Sequence, residues 1–429
     1  MDLPASRVAV ADVNHGGLIL AEELACLGYD AFAVDVYGTR SPHDAPVEVV
    51  GLREAGRFDA LVAPVHMPPN ALTERAQQQR IPIYTHHHMT GLIAGATGRL
   101  EGMRSVEITG TYGKTTTAFI LARLLLAAGE RVLLHSSSGL YYDGAPLGKR
   151  LSVTPASILR VLDEARAAGA DPTVLVAEVS LGGCGTADVG AITTLKDSYP
   201  IAGGTGWSAI AKMQMIELAK PGSAVVHDAS YTPVGVAGHL AFGAGGDVGY
   251  GDDGRIGGPL LAGGGVDLPR ADGFDPAAYR QPALCAVTVA LALGVKPEAI
   301  ARGLAGFGGV PGRMKVDRLE GRVLLDNSNS GLSADGIRRA LEVGRAHGGR
   351  RVLVLGEESY NVCEGLNTEQ ALKIAADAGV DDVVLVGRRL SAASGARYRC
   401  ATGLDEGLAA ALAVTTPGDV IISCVKTWR

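Results

Sequence analysis

The chain has 429 residues, and a single hydrophobic core stops growing at roughly 250 to 300 residues, so the length predicts about three domains of ~150 residues each. The composition, 47% hydrophobic and 20% charged, is that of an ordinary globular protein and excludes a disordered chain. A net charge of −6 argues against nucleic acid as the main partner, because the positive electrostatic footprint is missing.

No segment of the sequence points to a membrane. The longest apolar run, residues 283–295, is too short to cross a bilayer and predicts a buried helix. The first residues lack the basic segment of a signal peptide. We therefore expect a cytoplasmic protein without a membrane partner.

The first block, residues 1–99, alternates strand and helix patterns and predicts a Rossmann-like domain with a parallel sheet. The predicted strands are residues 7–13, 31–36, 58–65 and 81–84, and the first helix covers 18–27. The turn after the first strand, Asp12-Val13-Asn14-His15-Gly16-Gly17, lacks the G-x-G-x-x-G spacing, so a dinucleotide is not implied. We expect this domain to bind a small-molecule substrate, with Asn14, His15 and Gly16 as contacts.

The second block, residues 100–315, contains the strongest local motif, Thr109-Gly110-Thr111-Tyr112-Gly113-Lys114-Thr115-Thr116, between a strand and a helix. A glycine loop at a helix start lets backbone N–H groups face a phosphate. Lys114 would reach the β- and γ-phosphates, and Thr115 would hold magnesium. The common G-x-x-x-x-G-K-T pattern needs glycine where Ile108 stands, so the match is to a shorter variant. The motif predicts an ATP-binding P-loop domain whose nucleotide contacts are Gly110, Thr111, Tyr112, Gly113, Lys114, Thr115 and Thr116.

Three further features of this block bear on the site. Glu178 ends an apolar strand, where a carboxylate beside a phosphate loop is a natural magnesium ligand, although a structural salt bridge is the alternative. Lys212 lies among apolar neighbours in a predicted helix, where a lysine normally reaches out to solvent. The glycine-rich stretch 233–265 predicts hairpins or a mobile loop.

The third block, residues 316–429, again alternates strands with helices and predicts a second Rossmann-like domain with a doubly wound sheet. Its predicted strands are 322–326, 351–356, 383–387 and 419–425. The expected fold class is therefore α/β, with a central P-loop domain between an N-terminal and a C-terminal Rossmann-like domain.

Five segments together resemble the Mur ligase superfamily, the ATP-dependent ligases that include the peptidoglycan amino-acid-adding enzymes and folylpolyglutamate synthetase. They are residues 109–116, 177–180 with an E-x-S motif, 209–212, the G-x-P-G-R-M-like hinge at 307–314, and 325–329. The resemblance implies that Glu178 holds magnesium and that Lys212 is carbamylated and bridges a second metal. It also implies that Arg313 faces the nucleotide and that Asp326 contacts the ribose or adenine.

Three departures from the superfamily pattern affect these expectations. The Asp-His metal motif appears as Asp197-Ser198, so its imidazole is missing, which weakens the second metal site. The His-Asn motif for ATP appears as Arg280-Gln281, and we place Gln281 among the nucleotide contacts. A D-N-P-R type motif for seating an incoming amino acid is not evident in the third domain.

Residues 14–17, residues 34–39 and the altered metal motif resemble more narrowly the Mur-like ligases of methanogenic archaea that close the last carbocyclic ring of coenzyme F-430. That resemblance implies that ATP converts a propionate of a nickel seco-tetrapyrrole acid into an acyl phosphate. A carbon of the same molecule then attacks, and nickel enters only as part of the substrate.

Several alternatives stay open at this point. His15, the neighbours of Glu178, or the run His86-His87-His88 would supply the base that a carbon nucleophile needs. His86, His87 and Ser137 are candidate substrate contacts, while a polar loop at 86–88 and a hairpin at Asp143-Gly144 are the plain structural readings. A Mur-type ligase joining an amino acid to a carboxylate is the second function, and an ATP-dependent P-loop switch without a product is the third.

Overall fold

The computed structural model describes residues 6–39, 45–148, 151–231, 238–262, 264–268, 273–358, 366–394 and 398–427. Two compact units are found, residues 1–267 with 281–305, and residues 268–280 with 306–429. The α/β fold with parallel sheets is confirmed. The three predicted domain ranges stay a prediction, because the first unit contains two of the large sheets and residues 268–280 group with the third.

The first sheet of the first unit is parallel, with strand order β3-β2-β1-β4-β5. Its apolar strands are buried on both faces, as the short runs RVAVA and ALVA already suggest. The strands are β1 Arg7–Ala11, β2 Asp30–Asp35, β3 Val49–Gly51, β4 Ala60–Ala63 and β5 Ile83–Thr85. The helices are α1 Gly17–Cys26, α2 Ala71–Gln78 and α3 His86–Thr97.

The second sheet of this unit has eight strands in the order β15-β14-β11-β6-β10-β7-β8-β9, antiparallel only at β8 and β9. Strands in this part are β6 Arg104–Thr109, β7 Val132–Ser136, β8 Gly139–Tyr142, β9 Ala145–Pro146, β10 Val174–Glu178, β11 Val189–Ile192, β12 Pro200–Ile201, β13 Gly206–Trp207, β14 Ala224–Asp228, β15 His239–Phe242, β16 Gly249–Tyr250 and β17 Ile256–Gly257. Helices are α4 Lys114–Ala127, α5 Ser157–Ala167, α6 Ser208–Lys212, α7 Gln214–Glu217, α8 Pro276–Ala292 and α9 Pro297–Ala305, with 3₁₀ turns at Ala202–Gly204 and Pro259–Leu261.

The second unit has a six-stranded sheet in the order β18-β19-β23-β20-β21-β22, parallel except for the β18–β19 hairpin. Its strands are β18 Lys315–Leu319, β19 Arg322–Asp326, β20 Arg351–Glu357, β21 Asp382–Val386, β22 Arg399–Ala401 and β23 Val420–Lys426. Its helices are α10 Ala334–Arg345, α11 Thr368–Asp377, α12 Arg388–Ser394 and α13 Leu404–Leu412.

Most predicted elements are found within a few residues of their predicted ends. The interpretation of residues 86–88 as a polar loop is wrong, because they form the first turn of α3. The hydroxyl of Thr85 accepts a hydrogen bond from the N–H of His88 and caps that helix. The glycine-rich stretch contains the short strands β15 to β17, while residues 233–237 and 263 lie outside the described part of the chain. Among the described helices, none is both long and apolar enough to cross a membrane.

Candidate active site

The phosphate loop leaves the middle of the eight-stranded sheet, between β6 and α4. Gly110 has φ +143° and Gly113 has φ +81°, values that favour glycine. A Cβ on Gly110 would lie 2.0 Å from Oγ1 of Thr193, so the loop backbone packs directly against the end of β11. The N–H of Thr111 donates to the carbonyl of Thr194 at 2.9 Å, which fixes the loop from the same side. The glycines therefore allow a close approach that a side chain would block.

Four predicted or neighbouring side chains meet at the start of α4. The hydroxyl of Thr115 donates to Oε2 of Glu178 at 2.9 Å, and the hydroxyl of Ser137 lies 3.0 Å from that of Thr115. The N–H of Ser137 donates to the same carboxylate oxygen at 3.0 Å. Nζ of Lys114 donates to the carbonyl of Gly110 at 3.1 Å and lies 4.0 Å from Oε1 of Glu178. The structure thus brings together Lys114, Thr115 and Glu178 as expected, and places Ser137 beside them.

This arrangement suits a hard divalent cation. A carboxylate and hydroxyl oxygens are donors that Mg²⁺ prefers. Glu178 is 4% exposed, its Oε2 accepts the hydroxyl of Thr115, and Nζ of Lys114 lies 4.0 Å from its Oε1. Thr115 and Glu178 could therefore hold the ion, with Lys114 placed for the phosphates of the nucleotide.

Lys212 is almost completely buried, at 1% exposure, in the short helix α6. Its Nζ donates to the carbonyl of Ser208 at 3.2 Å and lies 5.1 Å from the centre of the Tyr199 ring. The expectation that it reaches out to solvent is wrong. Ser198, which replaces the superfamily's histidine, accepts the N–H of Ala209 at 3.0 Å through its hydroxyl and so caps α6.

The buried histidines of α3 connect the two sheets of the first unit. Nε2 of His86 donates to the carbonyl of Ala11, at the end of β1, at 3.0 Å. Nε2 of His87 donates to the carbonyl of Ser180, two residues beyond Glu178, at 2.7 Å. Desolvation by burial lowers the pKa of His86 to about 3 and that of His87 to about 4. Both rings are neutral at pH 7 and hold backbone in place, so they do not line an open substrate surface.

The turn after β1 lies against the segment that precedes α5. Gly16 has φ +94°, and a Cβ there would meet Cβ of Ala156 at 2.8 Å and Oγ1 of Thr154 at 3.1 Å. Nδ2 of Asn14 donates to the hydroxyl of Thr39 at 2.6 Å, which joins the ends of β1 and β2. The ring of His15 binds the carboxylate of Asp12. The three predicted substrate contacts Asn14, His15 and Gly16 therefore share one edge of the first sheet.

The remaining predicted nucleotide contacts are divided between the two compact units. Gln281 donates through Nε2 to the carboxylate of Asp228 at the end of β14. In the second unit, the carboxylate of Asp326 accepts the N–H of Gly312 at 3.1 Å, next to Arg313 in the hinge segment. The side chain of Asn329 donates to the carbonyl of Gly312 at 2.8 Å. The hinge and the loop after β19 are thus one hydrogen-bonded structure.

Sequence reasoning missed Asp12 and His66 as candidate site residues. Asp12 is wholly buried, with φ +70°, and contacts both His15 and His66. The spacing of three residues between Asp12 and His15 could have indicated from the sequence that the two side chains are paired. His66 follows a different strand, and only the sheet order brings it to Asp12.

The chain is similar to known proteins in sequence and in fold. Residues 316–427 match the family model described as coenzyme F430 synthetase CfbE, C-terminal domain. The whole chain is 34% identical to the coenzyme F(430) synthetase of Methanosarcina acetivorans, and the match covers 100% of both chains.

Two solved structures have a similar fold. One is the UDP-N-acetylmuramoylalanyl-D-glutamyl-2,6-diaminopimelate–D-alanyl-D-alanyl ligase from Acinetobacter baumannii, with a TM-score of 0.59 and 18% identity over 98% of this chain and 90% of that one. The other is the bifunctional folylpolyglutamate synthase/dihydrofolate synthase from Yersinia pestis in complex with AMPPNP and a Mn ion. Its TM-score is 0.58, with 19% identity over 79% of this chain and 90% of that one.

The full-length relative identifies the chain as an ATP-dependent ligase, and the solved structures show the fold of the Mur type. The full-length relative from Methanosarcina acetivorans identifies the family within this class. The chain belongs to the coenzyme F430 synthetase family.

Proposed function

We propose that this ligase uses ATP and Mg²⁺ to close a carbocyclic ring of a nickel seco-tetrapyrrole acid, giving ADP and phosphate. The proposal rests on the close approach of Lys114, Thr115 and Glu178 at the start of α4. It is supported by the full-length relative, which is a coenzyme F(430) synthetase. Nickel enters this reaction as part of the substrate.

The first step makes the carboxylate reactive. A carboxylate oxygen of the substrate attacks the γ-phosphorus, and the bond from that phosphorus to the bridging oxygen of ADP breaks. Mg²⁺ bound by Thr115 and Glu178 would neutralise the charge of the phosphates. Lys114 would neutralise the charge that develops on the transferred group. Arg313 is proposed to face the nucleotide as well, together with Gln281 and Asp326.

The second step forms the ring. A carbon of the same molecule attacks the acyl carbon, the new C–C bond forms, and the C–O bond to phosphate breaks. The proton on the attacking carbon passes to a base or to water, so the product is lighter than the acid by one water. The acyl phosphate hydrolyses easily, and a site that excludes water would protect it.

The edge of the first sheet is proposed to bind the substrate, with Asn14, His15 and Gly16 as contacts and residues 1–99 as the substrate domain. Gly16 supports this placement, because it packs against Thr154 and Ala156. Residue 153 in turn bonds to Ser180, two residues beyond Glu178. The turn after β1 and the phosphate loop are therefore linked by a short run of contacts within one unit.

Lys212 is proposed to become carbamylated, as the superfamily resemblance implies. Its near-complete burial supports a role other than that of a solvent-exposed surface charge. Its present contacts with Ser208 and Tyr199 are those of an ammonium group, so modification would replace them. Supplying ¹³C-bicarbonate should give a carbamate signal by NMR that disappears in Lys212→Arg. A spectrum identical to that of the variant would contradict the modification.

The test of the function measures ADP release with ATP and Mg²⁺, with and without the nickel seco-tetrapyrrole acid, followed by mass spectrometry of the pigment. Ring closure predicts ADP release stimulated by the acid and a pigment lighter by one water. A dependence on an added amino acid, with a heavier product, would identify an amide-forming ligase instead. Slow ADP release that no acid stimulates, from folded protein, would discard ring closure and favour a switch.

A further inference from the structure

A second cluster of polar side chains lies at the carboxyl end of the first sheet. Asp12 and His15 belong to the turn after β1, and His66 follows β4. In the order β3-β2-β1-β4-β5, strands β1 and β4 are neighbours. The chain leaves β1 toward one side of the sheet, where it reaches β2, and leaves β4 toward the other side, where it reaches β5. Ligands of open α/β sheets bind at such a switch point, beyond the carboxyl ends of the strands.

The donor atoms of the three side chains converge on one point. Nδ1 of His15 lies 2.6 Å from Oδ2 of Asp12, and Nε2 of His66 lies 3.4 Å from the same oxygen. All three atoms lie within 4.8 Å of one another. The two imidazole rings are nearly perpendicular, at 82°, with centres 4.7 Å apart. Two nitrogens and one carboxylate oxygen therefore face a shared volume.

The environment of this cluster fits a bound cation. Asp12 is 0% exposed, and the N–H of Asn14 donates to its other oxygen at 3.0 Å, which fixes the carboxylate. Nε2 of His66 is buried and contacts Oδ2 of Asp12 at 3.4 Å, without the geometry of a hydrogen bond. A metal ion at the shared point would give that nitrogen a direct bond.

We propose that Asp12, His15 and His66 bind a divalent transition-metal ion such as Zn²⁺, Co²⁺ or Ni²⁺. Two imidazoles and one carboxylate suit these ions, whereas Mg²⁺ prefers oxygen ligands alone. Three protein ligands leave at least one coordination position for water or another small ligand.

Metal binding requires a small rearrangement of the ligands. Nδ1–H of His15 at present donates to Asp12, so the ion replaces that proton. Metal–ligand bonds of ~2.0 Å in a tetrahedral site separate the donor atoms by about 3.3 Å. His66 is already at that distance from Asp12, and His15 must move away by a fraction of an ångström. The site is separate from Thr115 and Glu178, and the inference does not depend on ring closure.

The test is equilibrium dialysis of the untagged, full-length chain against Co²⁺, Zn²⁺ or Ni²⁺, in excess Mg²⁺ so that the phosphate loop does not compete. One ion per chain should be retained. His66→Ala should raise the Kd by more than ~100-fold, the upper end of what loss of an outer partner costs, because it removes a direct ligand. His15→Ala should do the same. Circular dichroism and binding of an ATP analogue check that each variant is folded.

A second pair of imidazoles provides the matched control. Nε2 of His227 and Nδ1 of His239 lie 3.3 Å apart near the end of β14 and could themselves attract nickel. His239→Ala should leave the stoichiometry and the Kd unchanged. Loss of binding in His239→Ala with normal binding in His66→Ala would overturn the assignment. So would retention of no ion by the folded wild-type chain.

Discussion

Nε2 of His87 donates a hydrogen bond to the backbone carbonyl of Ser180 at 2.7 Å, and so ties the start of α3 to the segment that follows Glu178. The other ring nitrogen lies 3.4 Å from Nε2 of Gln214, whose Oε1 accepts the hydroxyl of Thr85 at 2.6 Å. This network keeps His87 as the neutral tautomer with the proton on Nε2. A buried neutral histidine makes folding sensitive to acid.

The first prediction concerns stability against pH. Burial lowers the pKa of His86 to about 3 and of His87 to about 4, below the ordinary value of 6.5. The unfolded chain therefore binds more protons between pH 6.5 and pH 4, and stability falls as the pH is lowered through that range. Two such groups give a slope of up to about 2.7 kcal/mol per pH unit. Urea unfolding from pH 7 to pH 4.5 measures it.

His87→Gln retains an amide donor for Ser180 but does not titrate. It should reduce the slope of the unfolding free energy against pH by about 1.4 kcal/mol per unit. The control is His347→Gln, which follows α10 in the other compact unit and should leave the slope unchanged. An identical slope in wild type and His87→Gln would show that this ring is not the acid-sensitive group.

Local sequence was enough to locate the phosphate loop. A strand, two glycines with positive φ and a helix beginning at Lys114 are contiguous in the chain, so their geometry follows from neighbours. The start of α3 could also have been predicted, since Thr85 is a good N-cap. The three histidines that follow it were instead interpreted as a polar loop. The partners of His66 could not be predicted, because they depend on the order of the strands in the sheet. The partners of Lys212 could not be predicted either, because they depend on tertiary packing, which no local sequence pattern specifies.

The second prediction concerns Lys114. Its side chain is partly exposed at the start of α4 and contacts the carbonyl of Gly110 and the carboxylate of Glu178. Alanine is a good helix former at this position, so Lys114→Ala should leave the fold intact. Loss of the charge that balances phosphoryl transfer should lower the rate of ADP formation by at least about 10²-fold. The control is Lys373→Ala, at an exposed lysine of α11. An unchanged turnover in Lys114→Ala would refute the site assignment.

The third prediction compares two buried carboxylates on the neighbouring strands β6 and β10. Glu178 contacts Thr115, whereas Glu107 accepts hydrogen bonds from the backbone of Thr186 and Cys184. Glu178→Gln should raise the Mg²⁺ concentration needed for half-maximal ADP formation about tenfold or more, because a charged ligand is lost. Its free energy of unfolding should fall as well, because Glu178 is buried and accepts hydrogen bonds from Thr115 and Ser137.

Glu107→Gln should change the stability alone. Removing the charge that accepts these buried hydrogen bonds should cost about 1–3 kcal/mol of stability, with the Mg²⁺ requirement unchanged in the folded fraction. Titrating Mg²⁺ in the ADP assay and measuring urea unfolding separate the two effects. A Mg²⁺ requirement that stays unchanged in Glu178→Gln would mean that Glu178 is a structural carboxylate and not a metal ligand.

The last prediction concerns Gly312 in the hinge segment of the second unit. Its φ is +71°, and an added Cβ would lie 2.3 Å from the carbonyl oxygen of Ser328. Its N–H and C=O are held by Asp326 and Asn329, so the backbone cannot move away without losing both hydrogen bonds. Gly312→Ala should therefore destabilise this unit by at least about 1–3 kcal/mol. Gly308→Ala is the matched control, because a Cβ there meets nothing within 4 Å. Thermal unfolding of the two variants side by side measures the difference, and equal stabilities would show that the hinge backbone yields more easily than its contacts indicate.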